Sequence, residues 1–133
     1  MKLMVFSHKN WVGVSRLPFA LKQAGFEVGV VCPAGSYLSS TNYADYKLTY
    51  ELAARREEIY KTLQRAFRDW LPDFVIPGDD PALWFLHNAS ARAAEIIDAP
   101  YLTAIGLSLC NPELRCTLER KTALGAIADT LGI

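Results

Sequence analysis

A chain of 133 residues, 51% hydrophobic and 21% charged, has the length for one domain with its own core and is too apolar for a disordered segment. Its formal net charge is zero, so the overall balance gives no reason to expect nucleic acid or an anionic membrane as a partner. The three cysteines, Cys32, Cys110 and Cys116, are odd in number and match no zinc spacing, which points to reduced thiols packed as small apolar groups in a cytoplasmic protein. No stretch approaches the length of a membrane span, and the apolar run after Lys2 is too short for a signal-peptide core.

Taken in order, residues 3–6 form an apolar run that suits a strand covered on both faces. A loop, residues 7–13, leads to a helix expected over 14–24, with Val14, Leu17, Leu21 and Ala24 on one face. Pro18 fits its first turn, and Gly25 fits the left-handed position that ends it. Residues 26–31 read as a second strand, which completes a β-α-β unit of right-handed crossover. A polar loop over 32–42 is followed by a weakly alternating edge strand over 46–50. A long helix is then expected over 51–71, striped by Leu52, Ile59, Leu63, Phe67 and Trp70.

Pro72 ends that helix, and Phe74, Val75 and Ile76 make a short buried strand stopped by Pro77 and Gly78. Asp80 stands where an N-cap belongs, with Pro81 at the first helical position of a helix running to about Ile97. Residues 100–105 read as a further strand and 106–111 as a linker. One helical turn over 112–116 and a last helix over 118–131 follow, the latter striped by Leu124, Ile127, Ala128 and Leu131. This order predicts a three-layer, Rossmann-like α/β fold, with a mainly parallel sheet of about five strands and helices on both faces. The first strand should be central. The chain winds out to one side of it and crosses to the other at the strand after Asp73, which makes a topological switch point with a crevice at the strands' carboxyl ends.

Two loops should flank that crevice. The first offers Ser7, His8, Lys9, Asn10 and Gly13, a set that suits a phosphate or carboxylate. The second offers Asp79 and Asp80, which hold a metal, or hydrogen-bond a substrate amine or hydroxyl, or serve only as turn and cap. The glycine fingerprints of dinucleotide sites and P-loops are absent, and Cys32 stands where a dinucleotide site would place an acid. With His8 and His87 the only histidines, no catalytic triad and no metal site are assigned. Trp11, Trp70 and Trp84 read as core or interface aromatics.

Three places in the chain resemble the N-terminal part of ATP-grasp enzymes, the carboxylate–amine ligase superfamily. They are the opening β-α-β over 3–31, the run Val75-Ile76-Pro77-Gly78-Asp79-Asp80 into Pro81-Ala82-Leu83, and Leu118-Glu119-Arg120-Lys121-Thr122-Ala123-Leu124 followed by Ala128-Asp129-Thr130-Leu131-Gly132-Ile133. Arg120 departs from the acid that usually precedes the lysine in that family. The resemblance implies a pre-ATP-grasp, biotin-carboxylase-N-like domain over residues 1–110. Residues 111–133 would be a linker and the first helix into a missing C-terminal ATP-grasp domain. It further implies that Lys121 helps bind ATP phosphates, that the full-length enzyme uses ATP and Mg2+ on a small-molecule carboxylate, and that these residues alone bind neither cofactor and turn nothing over. The stripe of the last helix needs a partner, which suggests a homodimer or a fold-back onto the domain. Two other classes suit the same opening unit: the N-terminal half of a two-domain glycosyltransferase, and a stand-alone flavodoxin-like small-molecule binding module.

Overall fold

The computed structural model describes residues 1–91, 99–109, 125 and 128–130. Four strands, β1 (Lys2–Phe6), β2 (Glu27–Pro33), β3 (Tyr46–Tyr50) and β4 (Phe74–Pro77), form one sheet in the order β3-β2-β1-β4. All three pairings are parallel, with Met4 opposite Gly29 on one side of β1 and Val75 on the other. The first strand is therefore central, and the chain reverses direction across the sheet between β3 and β4. Backbone bonds continue the ladder past the strand ends, from Ser7 N–H to the Val31 carbonyl (3.1 Å) and from Gly78 N–H to the Phe6 carbonyl (2.7 Å).

The helices are α1 (Leu17–Gln23), entered through a 3-10 turn over Val14–Arg16, α2 (Arg56–Trp70), α3 (Asp80–Ala91) and α4 (Ala99–Ser108). Alternation along the strands divides the core into two layers. Met4, Phe6, Val31 and Val75 pack beneath α2, α3 and α4 through Leu63, Phe67, Leu86 and Ile105. Val5, Val28, Val30 and Cys32 face the other way, onto Val14, Leu38 and the inner residues of α1. The Cys32 thiol is fully buried in that layer.

Pro18 lies in the first turn of α1, and Gly25 follows its end at φ +85°, both as the sequence predicts. The stripe of α2 is Ile59, Leu63, Phe67 and Trp70, all buried. The helix begins at Arg56 rather than at Glu51, so Leu52 lies outside it and is 71% exposed. Glu58 sets the start: its carboxylate accepts the Arg55 N–H at 3.3 Å, one half of a capping box.

The region after α3 departs from expectation. Residues 100–105 are not a fifth strand, and residues 106–108 are not a linker; both belong to α4. Leu102, Ile105 and Leu109 are spaced for one helical face, and a short apolar run does not by itself distinguish strand from helix. The helix covers the edge that a fifth strand would have paired with. Ser108 Oγ accepts the Val75 N–H of β4 at 2.7 Å and donates to the Ala104 carbonyl at 2.5 Å. The expected end of α3 near Ile97, the turn over 112–116, Lys121 and most of the last helix lie outside the described residues. Of that last helix, residues 125 and 128–130 are described and are helical. Among the described residues no helix is long and apolar enough to cross a membrane.

Candidate ligand-binding cleft

At the carboxyl ends of β1 and β4 the two loops meet, and Asp79 joins them. Its Oδ2 accepts the Ser7 hydroxyl at 2.6 Å and the backbone N–H groups of His8 and Lys9, each at 2.8 Å. Its Oδ1 accepts the Ala82 N–H at 2.8 Å. The last bond makes Asp79 the side chain that caps α3, a role the sequence assigns to Asp80. Asp80 is instead the first residue of the helix, with Pro81 after it. The helix starts one residue earlier than the sequence suggests: the Asp79 carbonyl accepts the Leu83 N–H at 3.0 Å, which makes Asp79 the N-cap, and its carboxylate meets the N–H of Ala82, three residues on. Burial pushes the Asp79 carboxyl up, but the bonds from Ser7, Lys9, Ala82 and His8 outweigh it and hold the group below the usual carboxylate range. It is ionised at neutral pH, and both of its oxygens already accept hydrogen bonds from the loops and α3.

Gly78 lets the two loops approach so closely. A Cβ there would stand 3.2 Å from Ser7 Cβ and 3.3 Å from the Phe6 carbonyl, and would press into the Val14 side chain.

Behind the loop lies His8. Its ring sits 4.9 Å from Phe6, 5.0 Å from Phe85 and 5.9 Å from Tyr50, centroid to centroid. The Tyr50 hydroxyl donates to the Ser7 carbonyl at 2.8 Å, so at 3.3 Å its oxygen accepts from His8 Nδ1. This assigns the proton to Nδ1 and leaves Nε2 a bare lone pair, buried and without a partner among the described residues. Burial lowers the imidazole's affinity for a second proton, and the nearby Asp79 charge only partly opposes that, so His8 is neutral at pH 7. Burial likewise pushes the Tyr50 hydroxyl up, which keeps it a donor.

The meeting of the loops leaves an open cleft of about 670 Å³. Lys9, Asn10 and Trp11 line it from the first loop; Pro77, Gly78, Asp79, Asp80 and Leu83 line it from the second. Of the seven residues singled out from sequence, Lys9, Asn10, Asp79 and Asp80 reach the cleft. Ser7 is fully buried behind it, His8 sits in its aromatic cage, and Gly13 lies under the Trp11 ring. Asn10 Oδ1 is occupied by the Tyr37 N–H at 2.8 Å, which leaves its amide NH2 as the donor it can offer. Sequence reasoning missed Tyr50 and Leu83. Of the three tryptophans read as core or interface aromatics, Trp70 is in the core, whereas Trp11 and Trp84, 57% and 46% exposed, are not core residues. Trp11 carried a usable signal, since it stands in a loop between Asn10 and Gly13 and belongs to no apolar periodicity.

Fold and cleft together define an open, parallel α/β protein whose crevice sits at the reversal of strand order, where such sheets bind ligands. The same fold occurs in a solved structure, that of L-amino acid ligase from Bacillus licheniformis, at 19% sequence identity and a TM-score of 0.51. The likeness covers 75% of this chain and 25% of that one, so this chain spans about a quarter of that protein's length. No protein-family model matches the sequence, and no curated protein matches it.

Proposed function

We propose that this chain is the N-terminal, substrate-side domain of an ATP-dependent carboxylate–amine ligase of the ATP-grasp superfamily. The observation that carries the reading is the junction of the two loops through Asp79, which puts Lys9, Asn10 and Asp80 around one cleft at the switch point. The fold shared with part of an L-amino acid ligase supports it.

In this reading Lys9 and the Asn10 amide receive the substrate's carboxylate. Asp79 contributes from behind, since its oxygens are taken up by the loops, and Asp80 remains free to accept an ammonium or hydroxyl. ATP and Mg2+ belong to the full-length enzyme. Among the described residues no three His, Cys, Asp or Glu side chains are grouped to hold a metal ion. Lys121, given its role in ATP binding by resemblance alone, lies outside the described residues, and so does the boundary at residue 110. A homodimer and a cytoplasmic location are further parts of the proposal.

Binding of small carboxylates, nucleotide sugars and Mg-ATP to the purified 133-residue chain tests it. The expected result is saturable binding of carboxylates at the cleft, loss of that binding in Lys9→Met, and no ATP turnover by these residues alone. ATP hydrolysis by the purified chain would contradict the proposal. Tight binding of a nucleotide sugar in place of carboxylates would favour the glycosyltransferase reading.

A further inference from the structure

The cleft has one wall whose shape the proposed carboxylate chemistry does not explain. Trp11 is more than half exposed, yet it is not loose on the surface. A Cβ at Gly13 would fall 2.6, 2.7 and 2.9 Å from three carbons of the Trp11 ring, so the indole lies directly against the backbone of residue 13. Glycine is the residue that permits this contact. The neighbouring Asn10 is held as well, by the bond from Tyr37 N–H. An exposed indole seated in this way keeps one face supported and the other available, at little further cost in side-chain freedom when something lies on it. Across the cleft the other apolar wall is Leu83, and the polar groups between them are Lys9, Asn10 and Asp80.

We infer that the cleft selects ligands that carry a planar, aromatic group beside their charged group, and that Trp11, seated on Gly13, is the residue that determines this choice. The inference rests on the cleft being the substrate site proposed above and names the class of substrate it takes. An aliphatic group of equal size gains apolar burial in the same place. A planar one gains in addition the offset stacking that two rings allow, worth about a three- to tenfold preference in binding.

The test is a titration of the whole 133-residue chain with 3-phenylpropionate and 3-cyclohexylpropionate, followed by the amide and indole N–H signals in two-dimensional NMR. The expected result is a preference for the phenyl compound of about threefold or more, with the Trp11 indole signal among those that move. In Trp11→Leu, which keeps an apolar wall, the two compounds should bind alike. In Gly13→Ala the preference should shrink, because the added methyl displaces the indole. Equal binding of the two compounds to the unaltered chain would overturn the inference, as would a preference that survives Trp11→Leu. A parallel titration with 2-phenylethylamine and 2-cyclohexylethylamine separates this inference from the proposal beneath it. If the amines bind with the phenyl preference and the carboxylates do not bind, the aromatic wall stands and the carboxylate assignment falls. If neither pair binds, both fall.

Discussion

Asp79 accepts four hydrogen bonds from two separate segments: Ser7, His8 and Lys9 of the first loop, and Ala82 in the first turn of α3. Hydrogen bonds to an ionised, half-buried group are among the stronger ones, and removing their common acceptor leaves several donors unpaired at once. Asp79→Ala should therefore cost about 2–4 kcal/mol in stability, and Asp79→Asn less, because the amide oxygen still accepts. Urea unfolding of the two variants measures this. A loss below about 0.5 kcal/mol in Asp79→Ala, the level of an ordinary surface change, would mean that the loops hold together without it.

The same residues set the response to acid. The folded-state value of His8 is below the ordinary 6.5, so the unfolded chain takes up that proton first and stability declines as pH falls below 6.5. Asp79 is held below the ordinary 3.8, so its contribution is fully present above that value and is lost as pH falls further, through the lowered one. Urea midpoints collected between neutral and acid pH should show both declines, and His8→Gln should remove the upper one alone. An unchanged upper decline in His8→Gln would assign it to another group.

At the scale of elements, the loop junction also depends on what is missing at residue 78. Gly78→Ala places a methyl against Val14, Ser7 and the Phe6 carbonyl, two of them in or beside the central strand. Overpacking of this kind costs about 1–3 kcal/mol, and it should disturb the cleft without touching any polar group in it. Leu71 gives the opposite case. It ends α2 in the left-handed region, φ 51°, and its side chain is 61% exposed. Glycine is at ease there and leucine is not, so Leu71→Gly should stabilise the chain by a few tenths to about 1 kcal/mol. A loss of stability instead would show that the Leu71 side chain packs more than its exposure suggests.

Elements were legible in the sequence where two signals agreed. The end of α1 had an apolar stripe and a glycine; the end of α2 had a stripe and Pro72. They were illegible where one signal stood alone. The segment 100–105 offered only an apolar run, and the choice between strand and helix was made by tertiary structure, namely the free N–H of Val75 on the outer side of β4 and the Ser108 hydroxyl that meets it.

At the scale of the molecule, the central place of β1 and the crossing to its far side at β4 were legible in the alternation of apolar strands and striped helices, and with them the place of the crevice; the number of strands, four and not about five, was not. The identity of the crevice residues was legible only in part. Loop sequence fixes which polar groups are nearby, but not which of them are consumed in tying the loops to each other. Ser7 and Asp79 are polar residues at a binding edge, and they bond one another. Trp11 is apolar, and it faces the opening.

The proposed function requires the two loops to form one site. The measurement that tests this most directly is a titration of the chain with a small carboxylate in which the backbone signals of Lys9 and Asn10 are followed beside those of Gly78 and Asp80. Both sets should move together and saturate with a single dissociation constant. Movement of one set without the other, or two separate constants, would contradict it.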